Sequence, residues 1–259
     1  MSKSAVRTQP RQARDRLRAE RESADRRSRR VRQTALSAAV VATVTTVVAV
    51  AVVVQSGAAE DDRPVVVPSG ATGDDDLVIP GGPADAPATL TVYEDPRCPG
   101  CARFERALHT TINRLQDEGR LRVEYHVLSF VDRIVPGRGS KYAANALAAA
   151  QDAGKFRDFH DVLFASQPSS ENDDSFGDEQ VLLALGKKVD GMDMEKFTAA
   201  VRNGTHDTWV NKVQQAFDRQ TAVQATPAVL FKGKDLLKDP GHPLTPERLT
   251  RLVEAETVS

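Results

Sequence analysis

The sequence predicts an α/β domain with an inserted helical block, preceded by one N-terminal transmembrane helix. Three observations carry this. An apolar, β-rich run from Ala88 to Tyr93 leads into E-D-P-R-C-P-G-C, Glu94 to Cys101, and a helical pattern follows. Strand-like segments at Leu121 to Val127 and Pro227 to Phe231 are separated by a long helical section. Gln33 to Ala59 contains no charged residue.

The chain has 259 residues, enough for one medium domain plus extra segments. Its net charge is −1, unevenly placed, with twelve Lys/Arg against four Asp/Glu from Met1 to Arg32. Residues 1–33 read as a basic cytoplasmic tail. Residues 34–55 read as the anchor, since about 20 helical residues span a ~30 Å hydrocarbon core. Basic residues before it and Glu60, Asp61 and Asp62 after it orient the N-terminus inside. A cleaved signal peptide is the rival, because Ser56-Gly57-Ala58 resembles a small-residue cleavage site. On either reading the rest of the chain is extracytoplasmic. Residues 56–76, rich in Gly, Pro, Ser and acids, read as a flexible linker, and 77–259 as the folded domain. The charge balance suggests no nucleic-acid partner.

Within that domain, Leu77 to Ile79 is a short strand stopped by Pro80-Gly81-Gly82. Ala88 to Tyr93 is a strand. Cys101 to Glu118 is a helix with Phe104, Leu108, Ile112 and Leu115 on one face, ended by Gly119. Leu121, Val123, Tyr125 and Val127 alternate with Arg122, Glu124 and His126, a half-buried strand on which His126 is a plain outward residue. The helical insertion covers about 138–222: Lys141 to Ala153, Phe156 to Ala165, Glu179 to Leu185, Met194 to Arg202 and His206 to Thr221. Trp209 and the phenylalanines of this block are core candidates. Pro227 to Phe231 is a strand with a turn at Gly233. Thr245-Pro246 then caps a last helix carrying Leu249, Leu252 and Val253.

The chemistry sits in the C-x-x-C, which holds both cysteines of the chain. Cys98 falls just before the first helical turn and Pro99 takes the first helical position, where a missing N–H costs nothing. The unpaired amides of Gly100 and Cys101 face back toward the Cys98 sulfur, at the positive end of the helix. A thiolate there is favoured, and a thiolate is a nucleophile. Arg97 is a second candidate source of positive charge. Cys101, one turn on, is placed to close a disulfide with Cys98. Half a zinc site is the competing reading, but zinc wants four ligands. No second cysteine pair exists, and His109, His126, His160, His206 and His242 are scattered. A merely structural disulfide closing so short a loop stabilises little.

Strand, C-x-x-C, helix, strand, helical block, strand, helix is the order of a thioredoxin-like fold with an inserted helical domain. Val92 to Cys101 and the stretch Ala225-Thr226-Pro227-Ala228-Val229-Leu230-Phe231 resemble the DsbA-like thiol-disulfide oxidoreductases, over residues 77 to 256. The resemblance implies catalytic Cys98 and Cys101, with Pro99, Gly100, Thr226 and Pro227 in support. It implies a cis Thr226–Pro227 bond against the cysteine pair, where the Thr226 backbone pairs with an extended substrate peptide. It also implies exported protein substrates and a membrane redox partner, a DsbB or vitamin K epoxide reductase homologue. No bound cofactor or metal is expected, because the sulfur pair does the chemistry. The chain departs from the family at Ala225, where glycine is usual, and at Gly100, where strongly oxidising members carry histidine. The expected function is an extracytoplasmic, membrane-tethered oxidoreductase that introduces disulfides. The alternatives are a reductase or isomerase, or a non-catalytic peptide- or metal-binding module.

Overall fold

The structure, a computed structural model, describes residues 63–257. The expected tail, the anchor at 34–55 and the first part of the linker lie outside the described residues. Among those described, no helix is long and apolar enough to cross a membrane.

A five-stranded sheet forms the centre. Its strands are β1 (Ile79–Gly81), β2 (Ala88–Glu94), β3 (Leu121–Val127), β4 (Ala228–Phe231) and β5 (Lys234–Asp235), in the order β1-β3-β2-β4-β5. The β2–β3 pair is parallel and all others are antiparallel. A parallel pair needs a crossover, and α1 (Pro99–Asp117) provides it. Leu108, Ile112 and Leu115 of α1 are buried, as their spacing predicts. The first strand begins and ends two residues later than expected, at Ile79–Gly81. Proline is tolerated in it because β1 is an edge strand, free of ladder bonds on one side.

Helices α2 (Gly139–Asp152), α3 (Phe156–Ala165), α4 (Glu179–Gly186), α5 (Met194–Asn203) and α6 (Asp207–Arg219) fill the interval between β3 and β4. Its helices run from Gly139 to Arg219, just inside the expected 138–222. Its centre is α2, whose alanines at 143, 144, 146, 148, 149 and 150 are buried. A helix apolar on nearly every side is one surrounded by others, and α2 packs against α3, α4, α5 and α6. The last helix is α7 (Pro246–Thr257), capped as expected by the Thr245 hydroxyl accepting from the Arg248 amide at 3.2 Å.

One expectation needs correcting. Residues 63–76 are not a free linker; the folded unit starts at Arg63. The Ser69 amide donates to Asp152 Oδ1 (2.7 Å), and Gln151 Nε2 donates to the Ser69 carbonyl (2.8 Å). His206 Nδ1 lies 2.9 Å from the Val66 carbonyl, and the Trp209 indole donates to the Asp76 carbonyl at 2.8 Å. The stretch is held through its backbone by side chains more than 70 residues away, which its own polar composition does not show.

Candidate active site

Three pieces of chain meet at the carboxyl end of β2. The first is the turn into α1. Cys98 is its N-cap residue in extended conformation (φ −75°, ψ 115°), and Pro99 is the first helical residue. The second is the loop before β4, where the Thr226–Pro227 bond is cis. The Cys98 thiol donates to the Thr226 carbonyl at 3.4 Å, across 128 residues of sequence. Gly100 makes this approach feasible: a Cβ there would lie 2.8 Å from Pro227 Cδ and 3.4 Å from the Cys98 sulfur. The structure thus brings together Cys98, Pro99, Gly100, Cys101, Thr226 and Pro227. The third piece is the helical block, which sequence reasoning left out of the site.

Both cysteines are free thiols. Cys98 is 9% exposed and Cys101 is fully buried. The Cys98 pKa is lowered to about 6, first by a hydrogen bond from the Cys101 thiol, which outweighs partial burial; the Thr226 side chain and the amides of Cys101 and Gly100 add to it. Burial holds Cys101 well above the ordinary thiol range, and sharing its proton with Cys98 raises it further. So the helix amides act as expected, but the partner sulfur contributes most.

Arg97 does not serve the thiolate. Its side chain is turned into the protein, 2% exposed, and donates to Asp132 Oδ1 (2.6 Å) and to the carbonyls of Pro136 (3.2 Å) and Glu171 (2.7 Å), with Asp174 Oδ1 at 3.2 Å. Gly137 leaves room for it: that residue has φ 146°, and a Cβ there would fall 2.4 Å from the Arg97 Nη1.

The turn itself is fixed by buried polar groups. Asp95 accepts from the Arg97 amide (2.7 Å), the Val131 amide (2.8 Å) and the Ser140 hydroxyl (2.8 Å), while its own amide donates to Cys101 Sγ at 3.4 Å. Burial pushes the Asp95 carboxyl up to about 7. Gln167, just after α3, donates to the carbonyls of Pro96 (2.5 Å) and Cys98 (3.0 Å). Beneath lie Glu94, Glu105 and His160, buried, with one donor atom of each within 4.8 Å of the others. His160 Nε2 and Glu94 Oε1 are hydrogen-bonded at 2.8 Å. His126, expected to point outward, stacks on Tyr93 with ring centroids 4.3 Å apart, and burial lowers its pKa to about 4.

Two of these residues left a trace in the sequence. Glu105 follows Cys101 by one turn at the edge of the apolar face of α1. His160 falls at the i+4 position from Phe156 and i−4 from Phe164, where an apolar residue is expected. Gln167 and Ser140 left none.

A buried thiol donating to a thiolate-favouring, surface-edge thiol, beneath a cis X–Pro loop and at the end of a central strand, defines a thiol-disulfide oxidoreductase. A family model described as Thioredoxin matches residues 75–255. The chain belongs to that family, and within it to the DsbA-like thiol-disulfide oxidoreductases. It is 28% identical over 158 residues to disulfide bond formation protein D of Bacillus subtilis, covering 59% of this chain and 67% of that protein. Among solved structures it resembles MdbA, a thiol-disulfide oxidoreductase from Actinomyces oris, with 26% identity and a TM-score of 0.62 over 77% of this chain and 94% of that one. Oxidised DsbA from Mycobacterium tuberculosis shares the fold at 24% identity and a TM-score of 0.59, over 70% of this chain and 93% of that one.

Proposed function

We propose that the protein is an extracytoplasmic oxidase, tethered to the membrane by residues 34–55, that introduces disulfides into exported proteins. The observation that carries the direction is the stabilised Cys98 thiolate, since whatever stabilises the reduced form makes the disulfide the stronger oxidant. The name of the Bacillus relative, a disulfide bond formation protein, points the same way.

A substrate thiolate attacks Cys98 Sγ of the Cys98–Cys101 disulfide, and Cys101 leaves with the electron pair. A second substrate thiolate attacks the substrate sulfur of the mixed disulfide, and Cys98 leaves readily because it is stable as a thiolate. The Thr226 backbone, beside Cys98, holds the substrate as an added strand. Two residues upstream, Gln224 lines an open cleft of about 290 Å³ with Phe130, Ile134 and Phe217, apolar surface for an unfolded chain. Reoxidation falls to a quinone-linked membrane enzyme of the DsbB or vitamin K epoxide reductase type, with no cofactor on this chain.

Equilibration of the pair against glutathione tests the direction. A potential between about −120 and −180 mV fits an oxidase, whereas one near ~−270 mV makes the protein a reductase. Stability gives an independent check. A depressed thiol pKa stabilises the reduced fold above the unfolded value, and that gain is lost as pH falls through about 6. At pH 7 it amounts to about 1.4 kcal/mol, or ~30 mV. The reduced form should therefore gain on the oxidised form in urea as pH rises from 6 toward ~9; a pH-independent difference would remove the thiolate from the account.

The tether is tested by protease added outside intact cells, which should cut after about Gly57 and spare the basic tail. Spontaneous release of a domain starting near Ala59 would show a cleaved signal instead.

A further inference from the structure

Gln167 is the residue of the helical block that reaches the backbone of the nucleophile itself. Asp95, Pro96, Arg97 and Cys98 form a turn, closed by the Cys98 amide donating to the Asp95 carbonyl at 3.0 Å. The peptide joining Pro96 to Arg97 is its middle. A proline at the second position of a turn suits type I and type II alike, and the two differ by a flip of that middle peptide. Here the peptide is held at both ends. Its N–H, on Arg97, donates to Asp95 Oδ1 at 2.7 Å, and its carbonyl, on Pro96, accepts from Gln167 Nε2 at 2.5 Å. The first hold is local to the turn. The second comes from 71 residues away.

The same nitrogen donates to the Cys98 carbonyl at 3.0 Å. That carbonyl is also the first acceptor of α1, taking the Ala102 amide at 3.2 Å. Two donors on one oxygen fix the rotation between the Cys98 α-carbon and its carbonyl, ψ 115°. They thereby fix how the Cys98 side chain sits over the first helical turn. Gln167 is itself anchored. It follows the end of α3 by two residues, and Phe164 near that end is packed in one apolar cluster with Cys98, Cys101, Ala102 and Val131. Gln167 is 7% exposed, and its Oε1 has no hydrogen-bond partner among the described residues. A half-satisfied buried amide carries a cost that an apolar side chain of the same size would not. What the donor half does explains the placement.

We propose that Gln167 is a positioning residue for Cys98: by donating to the Pro96 and Cys98 carbonyls it locks the middle peptide of the turn and keeps the Cys98 sulfur over the α1 amides and beside the Thr226 carbonyl. The inference rests on the reading of Cys98 as the reactive thiol. Two effects follow from the one side chain. Without the lock the turn samples both peptide orientations, and the sulfur spends part of its time away from the groups that lower its pKa to about 6. The Cys98 carbonyl oxygen also belongs to the residue on which the thiolate forms, and a donor on it offsets its partial negative charge there. The helical block thus tunes the nucleophile through the backbone.

The test uses the full chain in its reduced form, with thiolate absorbance against pH and equilibration with glutathione as readouts. Gln167→Met keeps the length of the side chain and removes the donor. The Cys98 titration should move up from about 6 by about one unit, a tenfold loss of thiolate that corresponds to ~30 mV toward a more reducing potential. A brace that served only the fold would lower urea stability and leave both readouts in place. A folded Gln167→Met with Cys98 still near 6 and an unchanged potential therefore overturns the proposal. Should that variant not fold, the wild type decides. With isotope-labelled glutamine, the Gln167 side-chain amide protons should exchange slowly with solvent, and their resonances should shift with the Cys98 titration near 6. Fast exchange, or resonances indifferent to that titration, overturns it. A wild type that never equilibrates with glutathione would sink the oxidoreductase reading, while the titration of Gln167→Met would still judge the positioning role.

Discussion

Replacing Cys101 should turn the protein into a trap. Cys98 is the sulfur that substrate can reach and that favours the thiolate, while Cys101 is buried and holds its proton. Without Cys101 nothing inside the protein can resolve a mixed disulfide on Cys98. Adducts with substrate proteins should then persist from seconds to hours, the slow end of thiol exchange. Cys98→Ala should form few or none. The structure adds a refinement. The Cys101 thiol is the largest contributor to the low Cys98 pKa, so Cys101→Ala should also raise that pKa. Cys101→Ser, which retains a hydroxyl donor, should raise it less and trap faster. Acid quenching and non-reducing electrophoresis read the adducts, and thiolate absorbance reads the titration. Equal trapping by the Cys98 and Cys101 variants would leave Cys98 without its assigned role.

Arg97→Met is expected to be the most costly single change near the site for stability. The guanidinium is buried and joins two carboxylates and two carbonyls from separate loops. Removing one partner of a buried ion network costs about 3–5 kcal/mol, since the other charges lose compensation. Some of that is cushioned, because Asp132 also accepts from the Ser140 and Lys141 amides and Asp174 from those of Arg138 and Gly139. Urea unfolding should show the loss, and a change below about 1 kcal/mol would place Arg97 outside the network's core. The Cys98 titration should barely move, because the guanidinium faces away from the sulfur. A large rise in the Cys98 pKa would restore the direct electrostatic role that adjacency in sequence suggests.

Local patterns made much of this legible. Alternation at 121–127 and the apolar face of α1 each reflect one element against one core, and a sequence window contains both. The cysteine pair was legible because spacing, proline and helix start coincide within a few residues. What sequence reading missed lies in contacts between distant segments. Asp95 looks like an ordinary acidic residue of a turn until Val131 and Ser140 are brought to it. Residues 63–76 look like a linker because what binds them is the backbone, and backbone pairing leaves no compositional mark. The facing of Arg97 was misjudged for a related reason: adjacency in sequence says nothing about which way a long side chain turns.

The helical block also bears on how such a site could be moved. Gln167 holds the carbonyls of the C-x-x-C turn, Ser140 holds Asp95, Asp132 and Asp174 hold Arg97, and His160 holds Glu94. The eight residues Glu94 to Cys101 therefore do not form a portable cassette. Grafted into a thioredoxin scaffold lacking those five partners, they would carry a buried arginine and two buried acids with nothing to meet them. Conversely, foreign residues between the cysteines would inherit this protein's surroundings. A chimera that keeps the chemistry must exchange the strand-to-helix turn together with residues 128–178 as one unit, and mix-and-match libraries that cut between them should return mostly unfolded chains.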